Sequence, residues 1–336
     1  MASGNPVSKR ASVPSIHSRN PNAAAAPRGN VTSLERRRPD FARGMYRVLL
    51  AHDLTGASEI ALVRAARLAL EREGHLIILH VIDGGLPARV VEAQRARAKS
   101  YLEAEVRRWL GRSKLSYRID IGVGEPAGAI AARAQAHGVD LVVTGRHQRR
   151  AVADMFTPAT VSRLLQQLRR PILVVGNSNQ SPYRRVLIPI DFTSASAARI
   201  QFAAAFLPEA SLQLLHAHKR RFQDYVAPVS FLREEEGGRR SKPTGEQPGH
   251  AASRFVATLR LGERRPTLTV ENGDALALVK GELARQKTDL LVWDAQARSG
   301  DNAPIGCAAE AALRSSRCDI LFLSLMDLPP RSTAPH

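Results

Sequence analysis

One short sentence of sequence is written twice in this chain. Arg47–Ser58 reads Arg-Val-Leu-Leu-Ala-His-Asp-Leu-Thr-Gly-Ala-Ser, and Arg185–Ser196 reads Arg-Val-Leu-Ile-Pro-Ile-Asp-Phe-Thr-Ser-Ala-Ser. Each is an apolar run ending in an aspartate, then a Thr/Ser turn, then an Ala-rich segment. That is a buried strand, a turn and the start of a helix. Asp53 matches Asp191, Thr55 matches Thr193 and Ser58 matches Ser196. The repeat continues downstream. His80 aligns with His216, Gly124-Glu125 with Gly273-Asp274, Asp140-Leu-Val-Val with Asp289-Leu-Leu-Val, and Ile172-Leu-Val-Val with Ile320-Leu-Phe-Leu. A match at both ends and in the middle makes the chain two copies of one folding unit.

The spacing of apolar runs predicts the parts of each copy. In the first, strands are expected at Tyr46–His52, His75–Ile82, Leu115–Val123, Val139–Thr144 and Pro171–Val175. Helices are expected at Ala57–Glu73, Leu86–Leu110, Glu125–His137 and Pro158–Leu168. The second strand is almost wholly apolar, as a parallel strand covered on both faces must be. In the second copy the strands are Arg185–Ile190, Leu212–His216, Thr267–Glu271, Asp289–Trp293 and Asp319–Ser324. The helices are Ser194–Leu207, Ala251–Leu261, Asp274–Gln286 and Gly306–Arg314. Strands alternating with helices predict two tandem α/β units, each an open five-stranded parallel sheet with helices on both faces.

The rest of the chain frames these units. Residues 1–44 are polar, basic and without periodicity, a tail expected to be disordered, ending in Arg36-Arg37-Arg38. The units are set at 45–177 and 184–326, joined by a polar linker at 178–183. Residues 219–249, rich in Pro, Gly, Glu and Arg, form a flexible insertion in the second unit, and 327–336 is a short tail. The 336 residues carry 49 Lys and Arg against 31 Asp and Glu, and the basic residues are scattered. Such a charge favours contact with polyanions, and the Arg-rich tail is the expected place for a weak nucleic-acid contact. Two cysteines, Cys307 and Cys318, make no disulfide framework. No run approaches the ~20 apolar residues of a membrane span, and no signal peptide is expected. The expected compartment is the cytoplasm.

In an open parallel sheet, ligands bind beyond the carboxyl ends of the strands. Asp53 and Asp191 end their first strands there. Each carboxylate can cap the next helix or accept a hydrogen bond from a ligand hydroxyl. The second place is the loop after the fourth strand, Gly145 to Thr160, where Arg146, His147, Arg149 and Arg150 bring charge to a stretch with one glycine. No Gly-x4-Gly-Lys-Ser/Thr sequence occurs, which excludes a P-loop nucleotidase. His216 and His218 with Asp191 suggest a metal set, but His218 is expected at a frayed strand end and no further ligand is evident, so no metal is expected. Trp109 and Trp293 are expected in the core or at an interface. No nucleophile–base pair is visible, so no enzyme is expected.

The two Asp-Leu/Phe-Thr-x-Ala-Ser stretches, the strands ending in His80 and His216, the Gly124 and Gly273 turns and the Asp-Leu-Val-Val strands resemble the universal stress protein family in tandem form. The resemblance covers roughly Met45–Val175 and Tyr183–Leu325. It implies strand order 3-2-1-4-5 in each unit and pairing of the units through their fifth strands, an intrachain pseudo-dimer. It also implies a site for ATP in many members, on a motif Gly-x2-Gly-x9-Gly-Ser/Thr after the fourth strand. Here Gly145 fits the first position, but Gln148, Pro158 and Ala159 stand at the others. The second copy has Asp294 and Ala297, then Gly306-Cys307 after one deletion. The resemblance therefore implies a non-enzymatic stress-response protein with degraded ATP motifs and no cofactor, acting through contacts with an unidentified protein partner or a ligand. Its alternative is a sensor of ATP or AMP that would use Asp53, Val81, Gly145, Arg146 and Arg149 in the first copy, with Asp191, Gly306 and Cys307 as the second copy's counterparts.

Overall fold

A computed structural model describes residues 45–111, 113–146, 158–177, 179–218, 248–285, 287–295, 312–313 and 318–323. The tail 1–44, Arg149, Gly306, Cys307, most of the 219–249 insertion and the segment 327–336 lie outside the described residues.

The first unit runs β1 (Arg47–Ala51), α1 (Gly56–Leu70), β2 (His75–Ile82), α2 (Ala88–Leu110), β3 (Ser116–Val123), α3 (Pro126–Ala136), β4 (Leu141–Gly145), α4 (Pro158–Gln167) and β5 (Ile172–Val175). The second runs β6 (Arg185–Ile190), α5 (Ser194–Phe206), β7 (Ser211–His218), α6 (Pro248–Thr258), β8 (Thr267–Asn272), α7 (Ala275–Arg285), β9 (Leu290–Asp294) and β10 (Asp319–Leu323). Helix α6 starts at Pro248, earlier than expected and inside the range assigned to the insertion. His218 belongs to β7, and Asp294 ends β9 rather than opening a loop.

The two five-stranded sheets expected are one sheet here, joined at their fifth strands. The strands form one ten-stranded sheet in the order β3-β2-β1-β4-β5-β10-β9-β6-β7-β8. Within each unit the pairing is parallel, with order 3-2-1-4-5. At the centre β5 and β10 run antiparallel, with Leu173 opposite Leu321. The physical reason is the edge. A fifth strand left open would expose a row of N–H and C=O groups beside fully buried apolar side chains, and each fifth strand covers the other.

Helices α1, α2, α5 and α6 cover one face of the sheet over a core that includes Leu50, Leu62, Leu102, Phe206 and Phe255. Helices α3, α4 and α7 cover the other, over Leu49, Ile130, Leu164, Val279 and Leu291. Trp293 is buried in that second core, but Trp109 is not a core residue: its side chain is 46% exposed on the last turn of α2.

Two arginines of the first unit meet the start of β10. Arg146, just past β4, donates to the carbonyl of Cys318. The Nε of Arg64 in α1 lies 3.6 Å from the carboxylate of Asp319, which is fully buried. Asp319 also accepts from the backbone N–H of Gly176 (2.8 Å), the N–H of Asn177 (2.9 Å) and the Tyr183 hydroxyl (2.6 Å). Arg64 itself donates to the carbonyls of Ser181 and Asn179 at 2.8 and 2.6 Å, and its guanidinium lies 4.3 Å from the centre of the Tyr183 ring. The segment joining the units is thereby strapped to α1 and to β10 at once.

Candidate ligand site at the ends of the first strands

The repeated stretch folds into the same turn twice. Oδ1 of Asp53 accepts from Thr55 N (3.1 Å), Thr55 Oγ1 (2.6 Å) and Ser58 Oγ (2.6 Å). Oδ1 of Asp191 accepts from Thr193 N (3.2 Å), Thr193 Oγ1 (2.6 Å) and Ser196 Oγ (2.5 Å). Between aspartate and threonine the chain passes through the left-handed region, at Leu54 (φ 63°) and Phe192 (φ 60°). A short carboxylate that gathers local donors holds such a turn against its strain. One oxygen of each aspartate is thus committed to its turn. Burial pushes the Asp191 carboxyl up, but the hydroxyls of Ser196 and Thr193, the Thr193 N–H and Arg199 bring it below its ordinary value.

A histidine pins each turn from the second strand. His80 Nδ1 lies 2.8 Å from the His52 carbonyl, and His216 Nδ1 lies 2.9 Å from the Ile190 carbonyl. A carbonyl only accepts, so both Nδ1 atoms carry the proton. His52 is the opposite tautomer. Its Nδ1 accepts from Leu54 N at 3.0 Å, which leaves the proton on Nε2, fully buried and without a hydrogen-bond partner.

The remaining expected site residues divide. Val81 is 2% exposed and packs into the core beneath α3, so its side chain presents no free surface to the site. Gly145 does stand at the site. A Cβ there would lie 2.7 Å from the carbonyl carbon and oxygen of Ala57 and 2.9 Å from Ser58 N, all backbone atoms. The glycine lets the end of β4 approach the first turn of α1. Gly145→Ala should therefore cost about 1–3 kcal/mol through overpacking, read as a fall in the urea midpoint. Arg146 is turned away. Its guanidinium lies against Gly176 and reaches the Cys318 carbonyl, just before β10, across the seam, and burial lowers its pKa.

The second unit differs in a way its strands explain. Asp294 stands where β4 has Gly145. Arg199, three residues past Ser196, stands where the first unit has Ala61. The two form a pair: Arg199 Nη1 lies 2.6 Å from Asp294 Oδ2, and Nη2 donates to Ser196 Oγ at 2.9 Å. A continuous chain Asp294–Arg199–Ser196–Asp191 occupies the end of β6. The ladder yields here. β1 pairs with β4 over four residues, from Val48 opposite Leu141 to Ala51 opposite Thr144, but β6 pairs with β9 only at Val186 and Leu187. His52 N bonds Leu79 on β2, so by alternation the N–H of Ala51 faces β4. Its counterpart, Pro189, has no N–H to give β9.

Arg64, Arg199 and Asp319 were not among the residues expected from sequence. The signal was present as charge at apolar positions: an arginine on the buried stripe of each first helix, and an aspartate opening β10 where the first unit has Pro171.

Comparison with known proteins places this architecture. Residues 45–176 match the model of the universal stress protein family. No curated protein matches the chain. A universal stress protein of Archaeoglobus fulgidus is similar in structure at 13% identity, over 83% of this chain and 98% of that one, with a TM-score of 0.59. A putative universal stress protein of Pseudomonas aeruginosa is similar at 19% identity, over 83% and 93% of the two chains, with a TM-score of 0.55. At those identities the likeness is one of fold, and it extends across both units. With the strand order, the paired aspartate turns and the family match in agreement, residues 45–176 are a universal stress protein domain.

Proposed function

We propose that the protein is a non-enzymatic stress-response protein of tandem universal stress type, cytoplasmic, with both ATP sites degraded, working through a protein partner. The observation that carries this reading is the Arg199–Asp294 pair, at 2.6 Å, in the second unit. A triphosphate brought there would meet a carboxylate and would have to displace an internal ion pair. In the first unit the arginine nearest β4, Arg146, is spent on the seam. The glycines that let backbone N–H groups approach a phosphate are replaced by Gln148 and Pro158.

The expected result is no thermal shift with ATP, AMP or cyclic AMP at about 1 mM, and no adenine absorbance in the purified protein. A ligand present at about 100 times its Kd would add about 2.7 kcal/mol, a rise readily seen. A second reading rests on the asymmetry between the units. Ala61 and Gly145 place no charged side chain where Arg199 and Asp294 meet, so the first unit alone would serve as an adenine-nucleotide sensor. A saturable shift with any of the three nucleotides overturns the first reading and supports the second.

A further inference from the structure

We propose that the corner where α2 meets β3 in the first unit is a binding surface for single-stranded nucleic acid. Among the described residues, the aromatic side chains left widely exposed are Trp109 at 46% and Tyr117 at 45%. Exposed aromatic rings are costly to leave in water, and these two fall together rather than singly. Trp109 is on the last turn of α2, and Tyr117 is the second residue of β3, just past the connecting turn. They also share a face. Tyr117 is in register with Leu76, which packs in the core beneath α2 together with Leu102 and Val106. Both rings therefore lie on the α2 side of the sheet, beside a strand that ends the sheet and has a free edge.

The indole is held in place. Its Nε1 donates to Glu105 Oε2 at 2.9 Å, and the Arg108 guanidinium lies 5.1 Å from its ring centre. The surrounding charge is predominantly positive. Arg107, Lys114 and Arg118 are exposed, and no ion pair to them is formed among the described residues. Of the nearby acids, Glu105 is engaged by Trp109 and Arg108 and Asp120 by Arg133 at 2.5 Å, which leaves Glu103, one helical turn before Arg107. His75, at the start of β2, senses this field. Its pKa is lowered first by burial and then by Arg118, Arg47 and His137.

Rings that stack on unpaired bases, set among cations that follow a phosphate backbone, are the parts of a sequence-tolerant single-strand surface. A duplex hides its base faces and would leave both rings unused. An acidic protein would use the cations and leave the rings without matching partners. The surface lies at the opposite ends of the strands from the aspartate turns, so its test is independent of nucleotide binding there.

The test is fluorescence anisotropy of labelled oligothymidylate and oligouridylate of about 15 nucleotides, long enough to span such a surface. In unlabelled titrations the emission of Trp109 reports directly, since Trp293 is buried. The expected result is saturable binding that quenches this emission and weakens steeply with salt. Trp109→Ala with Tyr117→Ala should weaken it about tenfold or more, while Trp109→Phe with Tyr117→Phe, which keeps both rings, restores most of it. Changing Arg36, Arg37 and Arg38 to Gln should leave the quench in place. Circular dichroism of the double alanine variant establishes that it folds. The proposal is overturned by no binding at low salt, by binding that survives loss of both rings, or by binding abolished in the tail variant. Equal competition from duplex DNA or heparin also overturns it, since that reports charge alone.

Discussion

Asp319→Ala is expected to lower the stability of the chain by about 3–5 kcal/mol, the cost of removing one partner from a buried charge cluster. The carboxylate is fully buried, accepts hydrogen bonds from the N–H groups of Gly176 and Asn177 and from the hydroxyl of Tyr183, and forms an ion pair with the Arg64 guanidinium across 3.6 Å. Alanine leaves two backbone donors and a hydroxyl unpaired, and Arg64 keeps only the carbonyls of Asn179 and Ser181. Burial, and then the negative charge of Asp319, push the Tyr183 pKa well above its ordinary value, so Tyr183 remains a donor at every pH of interest. Asp319→Asn, which still offers an oxygen to the N–H groups, should cost less, and Tyr183→Phe about 1 kcal/mol. Equilibrium urea unfolding measures all three. Amide exchange at Leu173 and Val174 and at their partners Leu321 and Ile320 shows where the loss falls, because these residues pair across the seam that Asp319 supports. A loss under about 1 kcal/mol for Asp319→Ala would mean that the cluster orders the linker without stabilising the seam.

The seam also marks what the sequence made legible and what it did not. The elements of each unit were accessible because they follow from local signals: apolar runs, turn residues and a repeat that aligns the two copies; their order in the sheet came only from the family resemblance. That the units pair through their fifth strands came likewise from the resemblance alone, because edge pairing depends on which surfaces meet after each unit has formed. The same limit applies to Arg146. Its place after β4 is plain in sequence, but the direction of its side chain is decided by a carbonyl in the other unit. Of the two places expected for Trp109, the core is ruled out, because a wide ring on the outer side of the last turn of a polar helix has little to pack against. Boundaries moved where backbone geometry overrode pattern. α1 was expected to reach Glu73 but stops at Leu70, because Glu73 turns left-handed (φ 50°) and Gly74 must pass within 2.3 Å of the Tyr46 carbonyl at its missing Cβ. The aspartate turns were legible as turns. Asp294 was legible as a departure from the glycine motif, but its pairing with Arg199 was not, since that shows only when α5 is laid beside β9.

His52 supplies the second large expectation, a loss of stability in acid that one substitution should largely remove. Burial lowers its pKa from the usual 6.5 to about 4, with Asp53 opposing and His80 adding to the shift. The neutral ring is required by its place, since Nδ1 accepts from Leu54 N inside the turn. Between pH 6.5 and about 4 the unfolded chain holds a proton at this residue that the folded chain refuses. Stability is therefore full above the unfolded value, falls as pH drops through that window, and falls no further from this group below it. A shift of that size corresponds to roughly 3 kcal/mol. The second unit shows the replacement: Ile190 stands at the matching position, buried, beneath a turn of the same shape. His52→Ile should cost about 1 kcal/mol at neutral pH, for the acceptor that Leu54 loses. Between about pH 7 and pH 4.5 it should then lose markedly less stability than the native chain, because carboxylate contributions are common to both and cancel in the comparison. His80, whose pKa is also lowered mainly by burial, stays in place and accounts for part of the residual slope. Urea midpoints at several pH values test this, and equal slopes for the two proteins would remove His52 as the origin. Ring resonances of His52 followed through the same range give its titration directly, and a midpoint near the ordinary 6.5 would rule out a neutral buried ring.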